Sequence, residues 1–167
     1  MSVVPYVESK EIDIVFDTDV EEKVMAFDHD NLERIILNLI SNAVKFTEAK
    51  GKIEVSVEDK GNHVEVRVKD NGIGIPKDKL DIIFERFKQV EYPSSNPSQG
   101  SGIGLFLVKG LVEAHGGTIT VHSTIGEGSE FIINLPVIVL AEEEIASENE
   151  LKLDNNGKIT LEFSSVQ

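Results

Sequence analysis

The chain contains no cysteine, which excludes a disulfide framework and any thiolate metal site and is compatible with a reducing cytosol. It is poor in basic residues: 16 Lys and Arg stand against 30 Asp and Glu, a formal charge of -14. Nucleic-acid binding leaves a basic footprint, so no nucleic-acid partner is expected. An acidic domain that binds a polyanion has to shield the charge locally, with a divalent cation or a cradle of backbone amides. There is no apolar run long enough to span a bilayer and no signal-peptide pattern over the first residues. A cytoplasmic location without membrane contact is therefore expected for this stretch. Internal repeats and a Walker A pattern are also lacking. What is present suits one globular domain with a sizeable core: 167 residues, 40% hydrophobic and 28% charged.

Lys10 to Ala26 carries two apolar patches, Ile12-Ile14-Phe16 and Val24-Met25, which read as a strand pair. Asp28 and Asp30 are N-cap candidates for a helix running to about Phe46. From Lys52 to Glu58, Ile53, Val55 and Val57 alternate with polar residues, and Val64, Val66 and Val68 repeat the pattern. The link Asp59-Lys60-Gly61-Asn62 makes these a hairpin with one buried face. A short helix is expected around Asp78 to Phe84, a mobile loop from Tyr92 to Gln99, and a helix from Ile103 to Ala114 that stops at His115-Gly116-Gly117. Thr118 to His122 and Ser129 to Leu135 form a second hairpin. Ala141 to Asn156 is acidic and polar and reads as disordered, while Ile159 to Phe163 has the pattern of a short strand. The expected fold is an α/β (α+β) two-layer sandwich. Its twisted, mixed, largely antiparallel sheet has helices on one face.

The first helix carries a polar stripe. Asn38, Asn42 and Lys45 fall within roughly 60° of each other around the axis, and Asn31 and Arg34 extend the row. Leu32, Ile35, Ile36, Leu39, Ile40, Ala43 and Phe46 fill most of the rest. The stripe is either the solvent side of an amphipathic helix or a seam facing a ligand. In the second case an Asn oxygen is a hard, neutral ligand suited to Mg²⁺, and Lys45 brings positive charge to a phosphate.

Two glycine-rich turns follow. Asp70-Asn71-Gly72-Ile73-Gly74-Ile75 comes directly after an expected strand. As a plain turn, Asp-Asn-Gly needs no ligand. As a site, the glycines allow close approach to backbone, and the Asp70 carboxylate accepts a hydrogen bond from an exocyclic amine. Adenine offers that amine, and guanine presents a carbonyl instead. Gly100-Ser101-Gly102-Ile103-Gly104-Leu105 opens the later helix, where successive amides make an anion site. A Pro/Ser loop rather than a strand precedes it, so the dinucleotide-binding arrangement is absent.

Taken together, these segments resemble the ATP-binding catalytic domain of sensor histidine kinases. Asn38 to Thr47 resembles their N box, Asp70 to Ile75 the G1 box, Phe84-Glu85-Arg86-Phe87 the F box and Gly100 to Leu105 the G2 box. Glu113 to Gly117 and Gly126 to Phe131 match the C-terminal part, and the order and spacing agree over about Asp13 to Leu135. The resemblance implies the Bergerat fold shared with DNA gyrase, MutL and the large heat-shock chaperone. It implies ATP and Mg²⁺ as cofactors, with Asn42 on the metal, Asn38 on phosphates and metal, Lys45 on phosphate, Phe46 against adenine and Asp70 on its amine. Gly72, Gly74, Ile75, Phe87, Gly100, Ser101, Gly102, Ile103, Gly104, Leu105 and Ser129 complete the implied cofactor-binding set. Gln89 to Gln99 would be the ATP lid. Gln89 stands where an Arg is common in the family, which leaves Arg86 and Lys88 as candidate cations.

The hydrolases of this group place a glutamate where Asn38 stands, and an asparagine is no general base at neutral pH. Phosphoryl transfer to a protein is thus the expected activity, with Asn38, Asn42 and Lys45 as the catalytic set. A Bergerat-fold ATPase and a nucleotide-dependent partner-binding module are the alternatives. The implied partners are a histidine-bearing dimerisation domain and, indirectly, a response regulator. None of the four histidines, His29, His63, His115 and His122, stands in an acceptor setting, so the acceptor is expected on a separate domain. Residues 1–140 are expected to form the ATP-binding domain and 141–167 an acidic extension.

Overall fold

The computed structural model describes residues 10–19, 23, 25–90 and 102–138. The loop Tyr92–Gln99, Gly100, Ser101, the acidic extension and the expected strand Ile159–Phe163 lie outside the described residues. Among the described residues, five strands and two α-helices follow one another: β1 (Asp13–Thr18), α1 (His29–Phe46), β2 (Lys52–Asp59), β3 (His63–Asp70), α2 (Gly104–Ala114), β4 (Thr118–Thr124) and β5 (Gly128–Pro136). The sheet order is β1-β2-β3-β5-β4, with β1 parallel to β2 and the other pairings antiparallel. The mixed, largely antiparallel sheet under helices is the expected class.

Strict alternation sets the faces. Ile53, Val55 and Val57 of β2, Val64, Val66 and Val68 of β3, and Phe131, Ile133 and Leu135 of β5 are all buried. Register aligns them as Val55↔Val68↔Phe131 and Val57↔Val66↔Ile133. The helices close this face with Leu32, Ile35, Leu39, Ile40, Ala43 and Val44 of α1 and Val108 and Val112 of α2. Withdrawing each Val, Leu, Ile or Phe side chain of this set from water contributes roughly 1.5–3 kcal/mol. Polar residues line the opposite face, where Arg67 pairs with Glu65 and Glu130.

Helix α1 starts at Asp28, whose carboxylate accepts from Asn31 N at 3.1 Å, so Asp28 is the cap and Asp30 lies in the first turn. Two expectations are corrected. Ile12-Ile14-Phe16 does not pair with the second patch: β1 pairs with β2, and Met25 is a buried core residue outside any strand. The neighbouring Ala26 N–H instead bonds Ile138 O; Val24 lies outside the described residues. The helix around Asp78–Phe84 is only a 3₁₀ turn, Lys77–Lys79, followed by further turns. That segment is too short to offset helix nucleation, and docking Leu80, Ile83 and Phe84 on the core dictates its path.

Candidate functional site

The candidate residues gather where the C-terminal half of α1 meets the ends of β3 and β5. Asp70 ends β3 on the helix-covered face and is only 5% exposed. Gly72 N donates to its Oδ1 at 2.9 Å. Burial pushes the Asp70 carboxyl above its ordinary range, and the backbone amides of Gly72 and Ser129 partly oppose the shift. Asn71 turns away and accepts from Lys52 N at 2.7 Å, fixing the turn to β2.

The glycines here meet close approaches. A Cβ on Gly72 would lie 2.2 Å from Phe46 O, and one on Gly74 2.1 Å from Thr124 O. Gly74 also has φ +73, a region L side chains avoid. Ile73 N donates to Phe46 O at 3.1 Å, so the turn is fastened to the end of α1. Buried Ile75 donates its N–H to Ser123 Oγ at 2.7 Å, and Ser123 Oγ lies 2.8 Å from Ser129 Oγ. Ser129 sits opposite Asp70 in the β3–β5 register. Ser123 was not singled out from the sequence; its only signal is a polar residue at a half-buried position of β4.

Along α1, Asn38, Asn42, Lys45 and Phe46 are all half-buried, at the margin of the helix's apolar face. Asn38 Nδ2 donates to Arg34 O at 2.8 Å, which leaves Oδ1 turned toward α2. A Cβ on Gly104 would lie 3.2 Å from that oxygen. Asn38 thus faces the N-terminus of α2, where the N-cap residue, Ile103, has no side-chain acceptor for the first-turn amides. Lys45 Nζ stands 4.9 Å from the Phe46 ring centroid, and burial lowers its pKa from the ordinary lysine value. Ile103, Gly104 and Leu105 are half-buried beside this seam.

Phe87 is joined to the second glycine turn: its N–H bonds Gly102 O at 2.9 Å, and Gly102 has φ +67. The Phe87 ring is exposed, with the Arg86 guanidinium 4.6 Å from its centroid. The structure therefore brings Phe46 to the Asp70–Ile75 turn and Asn38 to the Gly102–Leu105 turn. The eight helical steps from Asn38 to Phe46 span about 12 Å of helix axis. His115, by contrast, is built into the fold. Its Nδ1 lies 2.7 Å from Leu111 O, and its ring stacks on Phe27 at 4.0 Å.

In this α+β domain a buried carboxylate at a sheet end thus lies on the side where an amide-bearing helix faces a second helix's N-terminus. Residues 27–138 match the family "Histidine kinase-, DNA gyrase B-, and HSP90-like ATPase". The chain belongs to that family, in its branch of histidine-kinase ATP-binding catalytic domains. It is 40% identical over 134 residues to the circadian input-output histidine kinase CikA of Synechococcus elongatus, covering 79% of this chain and 18% of that protein. It is 35% identical over 116 residues to the sensor protein SrrB of Staphylococcus aureus, covering 70% and 20%. The chain thus spans about a fifth or less of the curated relatives it matches. Among solved structures, the catalytic domain of histidine kinase ThkA superposes with TM-score 0.71 at 29% identity, covering 81% of this chain and 86% of that one. Full-length ShkA in complex with AMPPNP gives TM-score 0.70 at 33% identity, covering 83% and 28%.

Proposed function

We propose that this domain binds Mg-ATP and presents the γ-phosphate to a histidine on a separate dimerisation and acceptor domain, with a response regulator as the indirect recipient. The observation that carries the reading is the pairing of Asn38 Oδ1 with the N-terminal glycine of α2. It sets neutral oxygen ligands opposite backbone amides suited to an anion. The donor set fits the group: two asparagines one turn apart supply hard oxygens, and Lys45 supplies a cation. We assign Asn42 to the metal, Asn38 to metal and phosphate, Lys45 to phosphate and Phe46 to the adenine face. Asp70, with one oxygen held by Gly72 N–H, accepts from the exocyclic amine through the other. Mg²⁺, when bound, neutralises charge on the phosphate oxygens.

The chain's own residues act by positioning and charge, and Asn38 supplies no base for water, so slow turnover without an acceptor is expected. Two neighbours support the reading by what they hold. ShkA was solved with AMPPNP, and ThkA with the response regulator TrrA, at TM-score 0.66 and 27% identity, covering 81% of this chain and 37% of that one. The test is γ-labelled ATP with the chain alone and with a helical acceptor domain in trans. Acid-labile label is expected on the added domain only. Label on the isolated chain that disappears when one of its four histidines is replaced would overturn the assignment, and fast turnover without an acceptor would favour a hydrolase.

A further inference from the structure

Helix α1 ends without a glycine, yet its last four carbonyls all have partners. Ala43 O accepts from Thr47 N at 2.9 Å and Thr47 Oγ1 at 2.6 Å. Phe46 O accepts from Ile73 N at 3.1 Å. Val44 O and Lys45 O accept from one group, the Lys10 ammonium, at 3.1 and 3.3 Å. The third ammonium proton goes to Thr47 O at 3.0 Å. An ammonium has three donors and no acceptor, and here it meets three carbonyls at the negative end of a helix. Lys10 is itself fastened: its carbonyl accepts from Lys50 N at 3.0 Å, three residues ahead of the Asp13 N–Gly51 O bond of 2.9 Å that leads into β1.

From this geometry we propose that Lys10 is a positioning residue of the nucleotide site, and that it ties the segment entering β1 to the helix that bears the ligand-facing side chains. The proposal rests on the nucleotide-binding reading above. Lys45 and Phe46 stand on the turn that Lys10 closes. That turn is held from both sides, by Lys10 at Val44 and Lys45 and by the Asp70–Ile75 turn at Phe46. Without the ammonium, three part-buried carbonyls lose this donor and the last turn loosens. The Lys45 amine and the Phe46 ring then no longer sit in one place, so the entropy of fixing them falls on the binding step. Whatever moves Lys10 is felt as nucleotide affinity.

The test compares Lys10→Met, which keeps the apolar stem, with Lys10→Arg and with Leu135→Ala. Leu135 lies in the core at the opposite end of β5 from Ser129 and pairs with Val64, so its variant controls for lost stability. Mg-ATP affinity is expected to fall at least roughly fivefold in Lys10→Met and to recover within about twofold in Lys10→Arg. Leu135→Ala should lower Tm at least as much with affinity unchanged. Without nucleotide, the amides of Lys45 to Thr47 should exchange faster in Lys10→Met only. A parent that binds Mg-ATP and a Lys10→Met that binds it equally well would overturn this proposal alone. A parent that binds no nucleotide would overturn the functional reading and this proposal with it.

Discussion

Replacing Asp70 by Asn separates recognition from stability. The Gly72 N–H needs an oxygen at Oδ1, so the amide NH₂ has to take the place of Oδ2. A donor then stands where an exocyclic amine requires an acceptor. A hydrogen bond to a charged group is worth about 1.5–3 kcal/mol, so ATP affinity should fall from roughly tenfold to more than a hundredfold. Stability should move the other way. Burial raises the Asp70 carboxyl above its unfolded value, so its ionised form weighs against the fold. The associated stability is highest at acidic pH, where the group is protonated in both states, and declines as pH rises through the raised folded value. Asparagine carries no charge to bury, so at neutral pH the variant's Tm should equal or exceed the parent's. ATP binding by the parent should weaken on acidification before an ordinary aspartate would protonate, and the variant should lack that step. Titration with a fluorescent ATP analogue across pH, beside thermal melts, reads all three. Unchanged affinity, GTP bound as tightly as ATP, or a Tm that falls along with affinity would refute the reasoning.

Asn42→Ala should remove most of the Mg²⁺ dependence of ATP binding while adenosine binds nearly as before. Titrations with and without the metal measure this, and a full Mg²⁺ effect in the variant would move the metal ligand elsewhere. Gly72→Ala brings a methyl group to 2.2 Å from Phe46 O and should cost about 1–3 kcal/mol in denaturant unfolding. A variant as stable as the parent would mean that α1 and the turn are not in contact.

The hairpin β2–β3 was legible because its alternation is unbroken, and α1 because an aspartate cap precedes a 3.6-residue apolar pattern. The partner of Ile12-Ile14-Phe16 was not, since a parallel pairing across a helix leaves no local mark whereas a nearby apolar patch does. Asp78–Phe84 reads as a helix in the sequence because apolar spacing alone does not reveal that tertiary docking sets the path. In the candidate site, the glycines and the stripe of α1 stood out by residue type. Ser123 and Lys10 did not: each acts on backbone groups far along the chain, and sequence spacing carries no trace of such contacts. Asn71 shows the reverse, a residue inside a prominent motif whose side-chain oxygen fastens the turn to β2.

The parallel seating of β1 also bears on the order in which the molecule assembles. β2–β3 and β4–β5 are hairpins closed by short links, whereas β1 reaches β2 only after the crossover that contains α1. Loop-closure entropy favours the hairpins early and leaves the β1 edge among the later contacts. Lys10 precedes β1, so the closing of α1 by its ammonium belongs to that late step. Partial opening that releases β1 would leave the hairpins standing while loosening the end of α1. Such a species would keep most of its sheet signal in circular dichroism and lose its ligand-binding competence first.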